Sequence, residues 1–329
     1  MLISPDALFV LALALAIDAV TGDPDRIWRR YPHPVVWFGK AITWLDLRCN
    51  RETAGFMVRR TVGIVSLVGI LILFAGSAWL MQRALMLLPL GWMVEALLAS
   101  VLLAQRSLHD HVIRVARALA TDGLEGGRKA VSMIVGRDPL SLDSSGVARA
   151  AIESTAENFS DGVVAPAFWF AVAGLPGLVA YKVVNTADSM IGHRNERHHA
   201  YGWAAARLDD GMNLLPARLS GILLACCAPL VSGSSLKSLS VMGRDAGLHR
   251  SPNAGWPEAA MAGALGLALA GPRRYGASIL DDAFLNAEAR RDANASDIIR
   301  ALRVMIGACV ALFTLVVTLG LLSASGLWR

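Results

Sequence analysis

Two runs of 19 residues, 62–80 and 304–322, contain no charged side chain. That is about the length an α-helix needs to cross the ~30 Å hydrocarbon core of a bilayer, where every backbone N–H and C=O has to be satisfied within the segment. The chain is therefore expected to be an all-α, polytopic membrane protein. The rest of the 329 residues agree, with 55% apolar and only 17% charged side chains and a mean hydropathy of +0.49, too apolar for an ordinary soluble domain. Apolar and polar stretches alternate without a Pro/Ser-rich linker, so residues 1–329 read as a single domain.

The other apolar stretches are shorter or interrupted. Residues 90–104 carry Glu95 and follow a Leu88-Pro89-Leu90-Gly91 break, so they read as the returning arm of a helical hairpin ending near Gln105. The helix is expected to run on as a cytoplasmic amphipathic extension, with Val112, Val115, Ala116 and Leu119 opposite His109, Asp110, Arg114 and Arg117. Gly123, Gly126 and Gly127 then suggest a loop. Pro166, Gly174, Pro176 and Gly177 interrupt the stretch 162–184, as in broken or re-entrant helices, which lipid tolerates only where protein or a wet cavity satisfies the freed backbone. The apolar N-terminal stretch 7–16 lacks a basic flank and a small-residue cleavage site, and is read as retained.

Charge separates several possibilities. The net +5 is interleaved with carboxylates and forms no long basic run, which argues against nucleic acid. Residues 21–60 hold eight Lys/Arg against four carboxylates and are assigned to the cytoplasm by the positive-inside rule. Cys49, Cys226, Cys227 and Cys309 have neither zinc-ligand nor disulfide-framework spacing. There is no phosphate loop, dinucleotide fingerprint, nucleophile elbow or H-E-x-x-H.

Four polar clusters are left to carry chemistry. Glu153, Glu157 and Asp161 are spaced four apart, and on a helix would form one acidic stripe. A divalent cation or neighbouring arginines would have to relieve their repulsion, and a solvated acidic face explains the spacing as well. The apolar segment that begins directly after Asp161 sets the stripe close to the membrane, where carboxylates are costly and usually functional. Lys182, Asn185, Asp188 and Ser189 share a second helical face, suited to phosphate and metal contact. The third cluster is Arg207, Asp209, Asp210 and Asn213, with Arg218 beyond it, and the fourth is the turn Ser251-Pro252-Asn253-Ala254-Gly255. Pro257 is expected at the first helical position after that turn.

Taken in order, the segments Gly22-Asp23-Pro24, His33-Pro34-Val35, AAIESTAENFSDGVVAP (150–166), YKVVNTADSMIG (181–192), AARLDDGMNLLPARL (205–219) and SPNAGWPE (251–258) resemble the adenosylcobinamide-phosphate synthase family, also called CobD/CbiB. The resemblance covers almost the whole chain. Arg137-Asp138-Pro139 departs from the Arg-Asp-Thr expected there, which removes a hydroxyl.

The resemblance implies a multi-pass inner-membrane ligase with its active site on the cytoplasmic side. Such an enzyme joins aminopropanol or its phosphate to the free propionate of adenosylcobyric acid, using ATP and Mg²⁺ and no tightly bound prosthetic group. Other membrane enzymes of the cobalamin pathway are candidate partners. Under this resemblance Glu153, Glu157, Asp161, Lys182 and Asp188 are the catalytic candidates, and Glu157, Asp188, Asp209 and Asp210 the metal contacts. Asn158, Asn185, Arg207, Asn213, Arg218, Ser251 and Asn253 are the substrate or nucleotide contacts. The competing readings are a signalling or accessory membrane protein on the same scaffold, and a transporter.

Overall fold

A computed structural model describes residues 5–23, 28, 30–135, 139–275, 278–280 and 282–325. Pro24, Arg137 and Asp138 of the motifs above lie outside these. The chain forms two compact units, one of Met1–Leu103, Ala165–Asn213 and Leu315–Arg329, the other of Ala104–Val164 and Leu214–Thr314.

Among its described residues the first unit forms helices and no strand: α1 (Pro5–Thr21), α2 (Pro34–Cys49), α3 (Phe56–Leu85), α4 (Gly91–Ser100) and α8 (Ala165–Ile191), with the start of α9 (Trp203–Cys226) and the end of α12 (Ala295–Ala324). Helix α2 opens on Pro34, whose missing N–H costs nothing at that position, and the His33 ring accepts from Val35 N at 3.3 Å. Helices α3 and α8 pack together, α1 lies on α4, and α2 lies on α8.

The second unit holds α5 (Gln105–Thr121), α6 (Gly123–Val131), α7 (Ser144–Phe159), α10 (Ser235–Asp245) and α11 (Gly255–Leu265). Two small antiparallel ladders accompany them, β1 (Leu269–Ala270) with β4 (Phe284–Leu285) and β2 (Arg273–Tyr275) with β3 (Ser278–Leu280). Val112, Val115 and Ala116 of α5 are buried as the periodicity requires, each branched side chain contributing about 2 kcal/mol by leaving water.

Among the described residues three segments are long and apolar enough to cross a membrane: α3, α12, and a stretch within Ser144–Ile191. This is the fold of a polytopic helical membrane protein. The first two contain the uncharged runs, and the third contains the interrupted one. Its break is at Ala173 and Gly174, where Gly174 takes φ +64°, a conformation that costs a side-chain-bearing residue steric energy. A Cβ on Gly174 would also come within 2.5 Å of the Gln82 amide, which donates to Glu95 at 2.6 Å.

Three expectations fail. Helix α4 has ten residues, about 15 Å of rise, and cannot be a returning span. It also does not run on into α5: residues 102 and 103 tighten into i→i−3 bonds, and His33 Nε2 binds the Val101 carbonyl at 2.9 Å. A side chain 68 residues away thus takes up one of the helix-end carbonyls, which hydropathy along the segment cannot register. With no returning span, the cytoplasmic assignment of the amphipathic helix after Gln105 loses its basis. The glycines at 123–127 also do not form a loop; they open α6, and a Cβ on Gly127 would come within 2.8 Å of Leu119, so the smallness of Gly127 serves close α5/α6 packing.

The connection between α8 and α9, residues 192–202, is held from below by a polar cluster around Asp46, which is only 8% exposed. Arg197 donates to its Oδ2 at 3.0 Å, and His198 Nε2 lies 3.4 Å from the same oxygen. Asn50 donates to Asp46 Oδ1 at 2.8 Å and to the Arg197 carbonyl at 2.9 Å. Arg59 donates to the side-chain oxygen Oδ1 of Asn50 at 2.9 Å and also to the Arg197 backbone carbonyl.

Burial alone would raise the Asp46 pKa, but the bonds from Asn50, Arg197 and His198 outweigh it and hold the carboxyl below its ordinary 3.8. A depressed carboxyl stabilises the fold above the unfolded value, and that contribution is lost as pH falls through the folded value. Asp46→Asn is expected to cost about 2 kcal/mol near neutrality, less than a fully buried pair because Arg197 is a third exposed. Denaturant unfolding in detergent should show that difference shrinking below pH 3.8, where the wild-type carboxyl protonates too.

Candidate functional site

In the first unit the end of α8 and the start of α9 bring three aspartates into electrostatic reach of one another: Asp188, Asp209 and Asp210. Close approach is what permits this. A Cβ on Gly202 would fall within 1.6 Å of the Ile191 carbonyl oxygen, and one on Gly192 within 2.0 Å of Asp188 Oδ1, so neither position admits a side chain.

Asp209 is 9% exposed, and both its oxygens accept from amides, Asn213 Nδ2 at 2.9 Å and Asn185 Nδ2 at 3.3 Å. Tyr181, fully buried on α8, donates to Asn213 Oδ1 at 3.0 Å and so fixes which end of that amide faces Asp209. Burial pushes the Asp209 carboxyl up to about 7; the charges of Asp188 and Asp210 add to this, and the two amides oppose it. Asp210 is also raised, by burial, against the pull of Arg207, 3.3 Å away, and of Arg194. Lys182 is half-buried on α8, where Asn185 and Asp188 follow at three-residue spacing.

These side chains fit a hydrated, phosphate-bridged Mg²⁺ better than a protein-only cage. Among the described residues no three His, Cys, Asp or Glu side chains have the geometry of a metal site. Mg²⁺ usually keeps several waters and takes one or two carboxylates plus substrate phosphates. Carboxylates whose ionisation is opposed by burial and by one another gain most from such a cation.

The remaining candidates are in the second unit, where the acidic stripe does not form. Glu153 is 3% exposed, and its Oε1 accepts from Ala270 N at 2.8 Å, holding a backbone that has φ +58° at Ala270 and +84° at Gly271. Glu157 is exposed one turn on. Asp161 falls in a π-helical turn, Ser160–Val164, whose wider winding breaks the 3.6-residue phase on which four-residue stacking depends. Asn158 is exposed and donates back to the Ser154 carbonyl at 2.8 Å.

Arg218 lies over the Trp256 ring at 4.3 Å, a cation–π contact that pattern reading had not paired. Ser251 Oγ accepts from Asn253 N and Ala254 N, both at 3.2 Å, and Asn253 is buried. Helix α11 consequently opens at Gly255, two residues before the proline expected to begin it. Tyr181, named above only as part of a motif, and Asp46 are buried side chains to which sequence reading assigned no role. The first stands four residues before Asn185, and that spacing was its only signal.

The fold and these clusters define a multi-pass membrane protein with a desolvated acidic cluster bonded by asparagine side chains. The sequence model of the CobD/CbiB protein family matches residues 11–305, and the chain belongs to that family. It is 55% identical over 325 residues to "Cobalamin biosynthesis protein CobD" of Sinorhizobium sp, covering 97% of this chain and all of that one. The same-named protein of Brucella suis biovar 1 is 55% identical over 90% of this chain and 91% of its own length. That of Rhodobacter capsulatus is 47% identical over 89% and 91%. No solved structure matches.

Because Asp209 carries a desolvated charge, Asp209→Asn should stabilise the substrate-free protein in the presence of a chelator while removing activity. For a raised carboxyl the folded state holds the extra proton between 3.8 and about 7, so wild-type stability falls as pH rises through that window. The gain in melting temperature of the variant should therefore be largest above pH 7 and fade toward pH 4, about the range between the two values, in thermal scans.

Proposed function

We propose that the chain acts in cobalamin biosynthesis as an ATP-dependent ligase, joining aminopropanol or its O-phosphate to the free propionate of adenosylcobyric acid. The cluster of Asp188, Asp209 and Asp210, with Asn185 and Asn213 bonded to it, in a chain of this family, carries the reading. A carboxylate does not condense with an amine until its oxygen becomes a leaving group. The propionate oxygen attacks the γ-phosphorus of ATP, and the bond from that phosphorus to ADP breaks. The amine nitrogen then attacks the acyl carbon, phosphate departs with the carboxyl oxygen, and the proton released from nitrogen passes to a carboxylate or water.

Catalysis of this kind is mostly positioning and charge neutralisation. Mg²⁺ entering with ATP would supply positive charge to the phosphates, and one or two carboxylates from among Asp188, Asp209 and Asp210 are proposed to hold it. Lys182, Arg207 and Arg218 are proposed to meet phosphate oxygens. Glu153, Glu157 and Asp161 are assigned to the amine and the transferring proton. The amide side chains of Asn158, Asn185, Asn213 and Asn253, with Ser251, suit the amide periphery of a corrinoid or the nucleotide.

A cytoplasmic active site in the inner membrane fits the chain as well. Arg59, at the basic end of α3, donates to the backbone of residues 192–202, the same connection that joins Asp188 to Asp209. The positive-inside rule assigns that basic end to the cytoplasm, where ATP is.

Purified protein in detergent, given adenosylcobyric acid, aminopropanol phosphate and Mg-ATP, is expected to yield the amide and ADP by mass spectrometry. Corrinoid flux into vesicles without amide formation would instead establish a transporter. Asp188→Asn and Glu157→Gln should each lower kcat by about a hundredfold or more while circular dichroism stays unchanged. Near-normal rates would remove that residue from the site.

A further inference from the structure

Helices α2 and α3 form an antiparallel pair: Asn50 bonds Arg59 at 2.9 Å where they are connected, and Phe38 meets Phe74 edge-on, with centroids 4.8 Å apart, toward the far end. Between them runs an open groove of about 490 Å³, walled by Leu45, Cys49, Val65, Gly69 and Ile70 and flanked by Trp44. Its α3 wall runs from Thr61 to Leu73, about 18 Å of helix rise, a little more than one leaflet of a ~30 Å hydrocarbon core.

The ends of the groove differ in chemistry. The Ala41 and Leu73 end is apolar, while the Cys49 and Thr61 end adjoins Arg48 and Arg51. Both arginines are exposed, and neither pairs with a carboxylate among the described residues. Arg48 instead extends over the Trp44 ring, 5.9 Å from its centroid. The carboxylates nearby in sequence are already engaged, Asp46 and Glu52 both by Arg197. Helix α3 is a membrane span with only 17% of its apolar window buried, so this wall faces lipid. A tryptophan flanked by unpaired cations on a half-exposed helix is the chemistry of a membrane–water interface.

We infer that the groove between α2 and α3 binds one anionic phospholipid, its acyl chain along Val65 and Gly69 and its phosphate at Arg48 and Arg51. Polar rim, aromatic belt and apolar depth follow one another in the order in which a phospholipid presents headgroup, glycerol and chain. A neutral lipid would leave the two arginines uncompensated, and free phosphate would leave the groove unfilled. The bound lipid lines the groove on the outer side of the hairpin whose inner side carries Asp46 and Asn50.

The experiment is native mass spectrometry of the full chain in neutral detergent, titrated with phosphatidylglycerol, phosphatidylcholine or inorganic phosphate. One phosphatidylglycerol per chain is expected, with phosphatidylcholine and phosphate each binding at least about tenfold more weakly, since each interfacial cation adds appreciably to anionic-lipid affinity. The double variant Arg48→Glu, Arg51→Glu should lose that preference. Gly69→Phe should lose phosphatidylglycerol altogether, and because a Cβ at Gly69 meets nothing within 4 Å, its lipid-free unfolding should match wild type. Undiminished binding to either variant, equal retention of the neutral lipid, or displacement of the lipid by phosphate alone would overturn the assignment. So would a wild-type dimer that Gly69→Phe dissociates in light scattering, which would give the groove to a second copy.

Discussion

An ionised carboxylate taken out of water needs donors and cations, and the first unit treats two aspartates in opposite ways. Asp46 has an arginine, a histidine and an amide, and is held charged. Asp209 has two amides and two neighbouring carboxylates, and is pushed toward neutrality. The first arrangement is satisfied and fixes the backbone of the 192–202 connection. The second is short of positive charge, and that connection holds it in place. A compensated ion pair under a loop thus supports a cluster of mutually repelling carboxylates at the loop's ends, the usual division between scaffold and site.

Hydropathy disclosed the parts of the fold whose cause is local. The uncharged runs became α3 and α12 because nothing outside a 19-residue apolar segment is needed to make it helical in lipid. The interrupted stretch became α8 with a break at Gly174, where local chemistry again decided. What hydropathy missed depended on remote partners: His33 ending the α4 segment at Val101, and Leu119 requiring glycine in α6. In both places a plausible local pattern gave way to a side chain from elsewhere.

The candidate site was legible in type and less so in arrangement. The α8 and α9 residues named from spacing do share hydrogen bonds, Asn185 and Asn213 with Asp209, because both segments are regular helix and the spacing argument holds there. The acidic stripe at 153–161 was misread because a π-helical turn changes the phase between its second and third members. Glu153 answers a backbone need at Ala270 that no pattern around residue 153 encodes. Tyr181 acts through Asn213, one contact removed from the carboxylate, and so carried no acidic or basic signature of its own.

The glycines at 192 and 202 have a bearing on how this protein can vary. Both ends of the turn between α8 and α9 are sealed against any added carbon, so the reach of that segment is set while its middle, Arg194 to Glu196, stands in solvent. Natural drift and the protein engineer have the same latitude there: decoration of those exposed positions, with a dye or an affinity handle for instance, and no lengthening or shortening between them.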